Sequence, residues 1–129
     1  MKFALVISAA PEASLQPAQF AAALLAEGHS LTRVFFLREG VRHGEPSSAA
    51  ATAWLALPGA GQQFELALCI SAAERRQIVP THEESDRSGQ SAKPASERPQ
   101  QAAARFEVVG LGQLVDALAD ADRVVDFPG

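Results

Sequence analysis

The chain has one cysteine, Cys69, among 129 residues, so no intramolecular disulfide can form and a reducing compartment is expected. Basic residues are also scarce, with 11 Lys and Arg against 15 Asp and Glu and a net charge of −4. That balance offers no basic face for a phosphate backbone and argues against direct nucleic-acid binding. No apolar run is long enough to cross a bilayer, and the opening Met1-Lys2-Phe3-Ala4-Leu5-Val6-Ile7 is too short for a signal h-region with its cleavage site. A cytoplasmic domain without membrane contact is the expectation. Metal-ligand spacing is missing: Cys69, His29, His43 and His82 form no ligand pattern. The turn Ser8-Ala9-Ala10-Pro11-Glu12 holds no glycine to cradle a phosphate, and neither a nucleophile elbow nor an internal repeat occurs. No metal or cofactor is expected.

What is present reads as alternating strands and helices. Phe3–Ile7 is a continuous apolar run, the pattern of a strand buried on both faces. A helix should follow, with Pro17 in its first turn, Phe20, Ala23, Leu24 and Glu27 at helical spacing, and Gly28 just past its end. Leu31–Leu37 reads as a second strand and Arg38–Gly44 as a loop. An alanine-rich helix carrying Trp54 should run over Ser48–Leu57, stopped by Pro58-Gly59. Phe64–Ile70 is the third strand, with Ala67 and Cys69 facing one way and Leu66, Leu68 and Ile70 the other. Ser71-Ala72-Ala73-Glu74 has the form of a capping box, so a helix is predicted from Ser71 to Val79. Phe106–Val109 and Val124–Phe127 bracket a helix with Leu111, Leu114, Val115 and Leu118 on one face.

This order predicts one three-layer α/β domain over 1–129, with a largely parallel sheet of about five strands flanked by helices. Thr81–Ala104 breaks the pattern. Rich in Ser, Gln, Pro and charge, it is predicted to be a flexible polar segment within the domain.

In open α/β sheets, sites form outside the carboxyl ends of the strands. The Ser8–Glu12 turn, the Arg38–His43 loop and the Cys69–Ser71 turn should meet there, whereas His29 should lie at the opposite edge in a structural role. Cys69 has two readings. One is a small buried hydrophobe. The other is an anionic sulfur, because a helix N-terminus and the cations Arg75 and Arg76, partly offset by Glu74, favour the thiolate. His43 reads as a solvated loop residue or as a proton donor beside Cys69. Arg38 and Glu39 read as a solvated or interface pair.

The segments Lys2-Phe3-Ala4-Leu5-Val6, Gly28-His29, Val34-Phe35-Phe36-Leu37-Arg38-Glu39-Gly40-Val41, Leu68-Cys69-Ile70-Ser71-Ala72-Ala73 with Arg75-Arg76, Gly110-Leu111-Gly112-Gln113-Leu114 and Asp122-Arg123-Val124-Val125 resemble the DsrE/TusD family of sulfur-relay proteins. The resemblance implies a sulfurtransferase whose cysteine, here Cys69, accepts persulfide sulfur from a small donor protein and passes it to an acceptor cysteine protein. It also implies related subunits in a heterohexamer. In the TusD branch the sulfur ends in the 2-thio group of tRNA wobble uridine; in the DsrE branch it belongs to dissimilatory sulfur oxidation. Two departures stand out: the polar 81–104 stretch replaces a more regular segment, and Leu37 stands where relatives carry an aromatic residue. A non-catalytic assembly subunit of the same fold is the runner-up, and a small-molecule-binding flavodoxin-like module is a third reading.

Overall fold

A computed structural model describes residues 1–13, 16–79 and 100–129. Its elements, in chain order, are β1 (Lys2–Ile7), α1 (Gln16–Ala26), β2 (Ser30–Phe36), a 3-10 run (Arg38–Gly44), α2 (Ala49–Leu55), β3 (Glu65–Cys69), α3 (Ile70–Arg75), β4 (Ile78–Val79), β5 (Gln100–Gln101), β6 (Phe106–Val109), α4 (Leu111–Asp120) and β7 (Arg123–Phe127). Five strands pair in the order β6-β3-β2-β1-β7, every pairing parallel, as the alternation predicts.

The register fixes which side chains share a face. Leu5, Val34 and Leu66 align, as do Ile7, Phe36 and Leu68, with Phe106 and Phe127 on the same side. Most of these are fully buried. They form the main core under α1 and α2: Phe20 meets Phe127 edge-on at 5.6 Å, and Trp54 meets Phe36 at 5.3 Å. The opposite face carries Ala4, Arg33, Phe35, Glu65, Ala67 and Cys69 by alternation. There α4 lies across the sheet, tied by Arg33, whose Nη1 donates to the Gln113 carbonyl at 2.6 Å. Three connections step one way along the sheet and the last returns across it, which is why α4 has a face to itself.

Several expectations shift. The buried stripe of α1 is Pro17, Ala18, Ala21 and Leu24, while Ala23 is exposed. Of the predicted apolar face of α4, Leu114 packs against the core, while Leu111, Val115 and Leu118, at helical spacing, are exposed. The capping box is not used. Cys69 itself is the N-cap of α3, with extended φ −63° and ψ 126°, so Ser71 already lies inside the helix. The chain turns at the last ladder position of β3, two residues before the Ser-x-x-Glu pattern can form its reciprocal bonds. Nor does α3 reach Val79: Gln77 adopts φ +59°, a left-handed conformation that ends the helix, and Ile78–Val79 becomes a strand.

That strand pairs with Gln100–Gln101, within the segment predicted to be flexible. The Ala102 amide donates to Val79 at 2.8 Å and the Ala103 amide to Gly44 at 2.7 Å, and both alanines are buried. Residues 81–99 of that prediction lie outside the described residues.

Candidate functional site at the carboxyl edge of the sheet

Neighbouring strands β3 and β6 send the chain in opposite directions. After β3 comes α3, packed by the 3-10 run whose Gly44 lies against Leu68 and Phe106 on the main-core face. After β6 comes α4 on the other face. In α/β sheets the carboxyl ends of strands whose connections part in this way are where ligands are commonly placed. Cys69 stands at that point, paired in register with Val109 and one residue past the Phe36–Leu68 pair, hence level with Leu37.

As N-cap, Cys69 presents the side chain nearest the unpaired amides of the first turn of α3, the place where Ser or Asp ordinarily accepts a hydrogen bond. The Cys69 side chain makes no capping hydrogen bond to them. The residue is 7% exposed and is the one cysteine of the chain. The expected cations are differently employed. Arg76 donates from Nη2 to Glu39 at 2.7 Å and from Nη1 to its own helix at Ala72, 2.9 Å. Arg75 is exposed on the surface.

Arg76 is one end of an alternating chain of charges. Arg42 forks onto the Glu12 carboxylate, with Nη1 at 2.9 Å, and lies 3.8 Å from Glu39 and from Glu45. The Arg76 hydrogen bond holds the Glu39 carboxyl below its ordinary range, and the Arg42 hydrogen bond does the same for Glu12. Glu39 therefore pairs with Arg76 and Arg42, not with Arg38. This network ties the turn after β1, the 3-10 run and α3 together at the carboxyl edge of the sheet.

His43 is neither solvated nor a proton donor beside Cys69. It is 1% exposed, the one buried polar side chain among the described residues. Its Nε2 lies 3.1 Å from the Ala9 carbonyl, and Nδ1 lies 3.0 Å from the indole N–H of Trp54. An indole only donates, so Nδ1 accepts and Nε2–H donates to Ala9, which fixes the neutral tautomer. Burial pushes the imidazole pKa below its usual value. Both ring nitrogens are occupied, and His43 is a structural pin joining the β1 turn, the 3-10 run and α2.

His29 keeps its structural place, edge-on to Phe3 at 5.2 Å. His82 and its acidic neighbours lie outside the described residues. Among the described residues no group of His, Cys, Asp and Glu could hold a metal ion, and no helix is long and apolar enough to cross a membrane.

Sequence reasoning missed a cleft of about 410 Å³ at the same edge, on the α4 side, lined by Val6, Ser8, Leu37, Arg38, Leu118 and Asp126 among others. Arg38 enters it with φ +50°. The only advance signal was position: all but Leu114 and Leu118 come from the carboxyl ends of β1, β2 and β7.

The profile of the DsrE/DsrF-like family matches residues 1–127. A putative sulfurtransferase DsrE of Allochromatium vinosum is 37% identical, the match covering 98% of each chain. Sulfurtransferase TusD of Cronobacter sakazakii is 36% identical over 98% of this chain and 100% of its own. The crystal structure of the ychN protein from E. coli superposes with a TM-score of 0.66 at 20% identity, covering 98% of this chain and 99% of that one, which identifies the fold.

Proposed function

We propose that this chain, which belongs to the DsrE/DsrF-like family, is a sulfurtransferase subunit that carries a persulfide on Cys69. The observation that carries the reading is the position of Cys69: N-cap of α3 at the point where the connections from β3 and β6 part, in a chain whose near full-length relatives are named sulfurtransferases.

The chemistry follows from that position. The Cys69 thiolate attacks the outer sulfur of a donor persulfide; the donor S–S bond breaks and the donor leaves as a thiolate. The terminal sulfur of the new Cys69 persulfide is an anion beside unpaired first-turn amides, which stabilise it. An acceptor thiolate then attacks that outer sulfur, and Cys69 departs as the thiolate it began as. No oxidant is consumed, and no metal or cofactor is needed.

The resemblance to the TusD branch supports a cytoplasmic relay that ends in 2-thiolation of tRNA wobble uridine, with a small donor protein, an acceptor cysteine protein and related subunits in a heterohexamer. This chain would not touch the tRNA, consistent with its net charge of −4. The exposed apolar stripe Leu111, Val115 and Leu118 on α4 supports contact with other subunits. The Allochromatium relative supports a second reading, a DsrE-type subunit of dissimilatory sulfur oxidation.

The low exposure of Cys69 favours the competing role of a non-catalytic assembly subunit. Thiol labelling separates the two. A carrier cysteine reacts with a small alkylating reagent near neutral pH in the native assembly; a cysteine that reacts only after denaturation belongs to a structural subunit.

A further inference from the structure

We propose that the outer face of α4 docks a helix of a different protein chain, one whose apolar ridge is flanked on one side by Lys or Arg. That this partner is a subunit rests on the assembly reading above; the binding itself does not, and neither depends on sulfur at Cys69.

At about 100° per residue, the positions of α4 fall into distinct lines along its length. Leu114 faces the protein and packs against the core, and the Gln113 carbonyl is held by Arg33. Leu111, Val115 and Leu118 form an apolar line on one flank, and Asp116 and Asp120 an acidic line on the other. Between them runs a crest of small residues, Gly112 and Ala119, about two turns apart. All seven of these flank and crest positions are exposed. Nothing lies within 4 Å of the place a Cβ would take at Gly112. That glycine weakens the helix with no gain inside this chain, whereas a bare crest lets a second backbone come close. A hollow borders the helix on each side: about 410 Å³ beside Leu114 and Leu118, and about 310 Å³ beside Asp116, Ala119 and Asp120. Both leave room for side chains that reach past the crest.

The charge on this face selects the occupant. The helix has no basic residue, and among the described residues Asp116 and Asp120 form no ion pair. Arg33, the cation lining the second hollow, is already taken by Glu65 and the Gln113 carbonyl. A second copy of this chain is disfavoured. The antiparallel twofold that lays apolar line on apolar line also sets Asp116 and Asp120 against the same carboxylates of the copy, between chains of net charge −4. Anionic lipid and phosphate backbones are repelled by the same acidic line. A foreign helix with its own apolar ridge on Leu111, Val115 and Leu118, and with Lys or Arg reaching Asp116 and Asp120, satisfies both lines at once. Charge pairs of this kind choose and orient the partner more than they add affinity.

The test uses the full chain and, as probe, a fluorescein-labelled, lactam-bridged helix of about four turns. It carries Leu at i, i+4 and i+7 with Lys along one flank; a second probe has Glu in place of Lys. Saturable one-to-one binding of the lysine helix is expected in fluorescence anisotropy, about tenfold tighter than that of the glutamate helix because two contacts change sign. Asp116→Asn with Asp120→Asn should erase most of that preference. Leu111→Ser with Val115→Ser should weaken the lysine helix by about tenfold through lost apolar burial, and should melt like wild type because both side chains are exposed. No saturable binding of the lysine helix, equal affinity for the two helices, or affinity untouched by the serine variant overturns the proposal. So does a chain that dimerises alone in sedimentation equilibrium, or pellets with anionic vesicles, in a manner the serine variant abolishes: the occupant is then a second copy or a membrane. Helix binding as expected, in a chain that does not co-elute with related subunits, would support the docking face and sink the assembly reading.

Discussion

The indole N–H of Trp54 donates across 3.0 Å to Nδ1 of the buried His43, whose other nitrogen is bonded to Ala9. The pair makes the fold acid-sensitive, because a protonated imidazole has no acceptor left for Trp54. Burial lowers the folded-state pKa of His43 below 6.5, so the unfolded chain takes up the proton first. Stability is fully present above pH 6.5 and is lost as the pH falls through the lowered folded value, by up to about 1.4 kcal/mol per pH unit. Trp54 is the single tryptophan, so its fluorescence reports denaturant unfolding directly. His43→Gln should flatten this part of the pH profile, and an equally steep profile in the variant would assign the acid sensitivity elsewhere.

Gly40 should not tolerate a side chain. A Cβ there would meet the Ile7 carbonyl oxygen at 2.0 Å, and that oxygen belongs to the end of a central strand which cannot yield. Gly40→Ala is expected to cost more than about 2 kcal/mol. Gly110→Ala meets nothing within 4 Å at an ordinary φ of −86° and should cost less than about 1 kcal/mol. Chemical denaturation of the two variants checks the contrast; comparable losses would contradict the close approach of the 3-10 run to β1.

Much of this architecture was legible in the sequence, and the failures share a cause. The strands announced themselves because both faces of β1, β2 and β3 are covered, leaving apolar runs at Phe3–Ile7, Val34–Leu37 and Leu66–Ile70. Cys69 was placed correctly at a strand end for the same reason. The start of α3 was misread because Ser71-Ala72-Ala73-Glu74 satisfies a local rule, while the cap falls two residues earlier, where the β3 ladder ends. His43 looked like a loop residue because its burial depends on Trp54 and Ala9, partners from different elements. The Glu39–Arg76 pair spans 37 positions, and two-residue strands such as Ile78–Val79 carry no period to read.

Arg33 holds α4 to the sheet through Gln113 and ties β2 to β3 through Glu65, with a 14% exposed side chain. Arg33→Ala should cost about 2 kcal/mol, since it leaves a partly buried carbonyl without its charged donor. Glu39→Gln, at an exposed and solvent-screened pair, should change stability far less. Thermal or denaturant melts of both variants decide the order, and a costlier Glu39→Gln would contradict it.

The stripe Leu111, Val115 and Leu118 should be buried on assembly with related subunits. Val115, 64% exposed, can accept a charge in the isolated chain at little cost. Val115→Glu is therefore expected to melt like wild type and to fail to co-elute with partner subunits in size exclusion. Unimpaired co-elution would move the interface off α4.

The central claim is that Cys69 carries sulfur, and intact-mass spectrometry after incubation with a persulfide donor tests it most directly. Cys69→Ser should remain folded, because serine is nearly isosteric and its site is the N-cap of α3, where serine is favoured. The account predicts one added sulfur atom on the wild-type chain, removable by a thiol reductant and absent from Cys69→Ser. An unchanged wild-type mass, or the same added sulfur on Cys69→Ser, would contradict it.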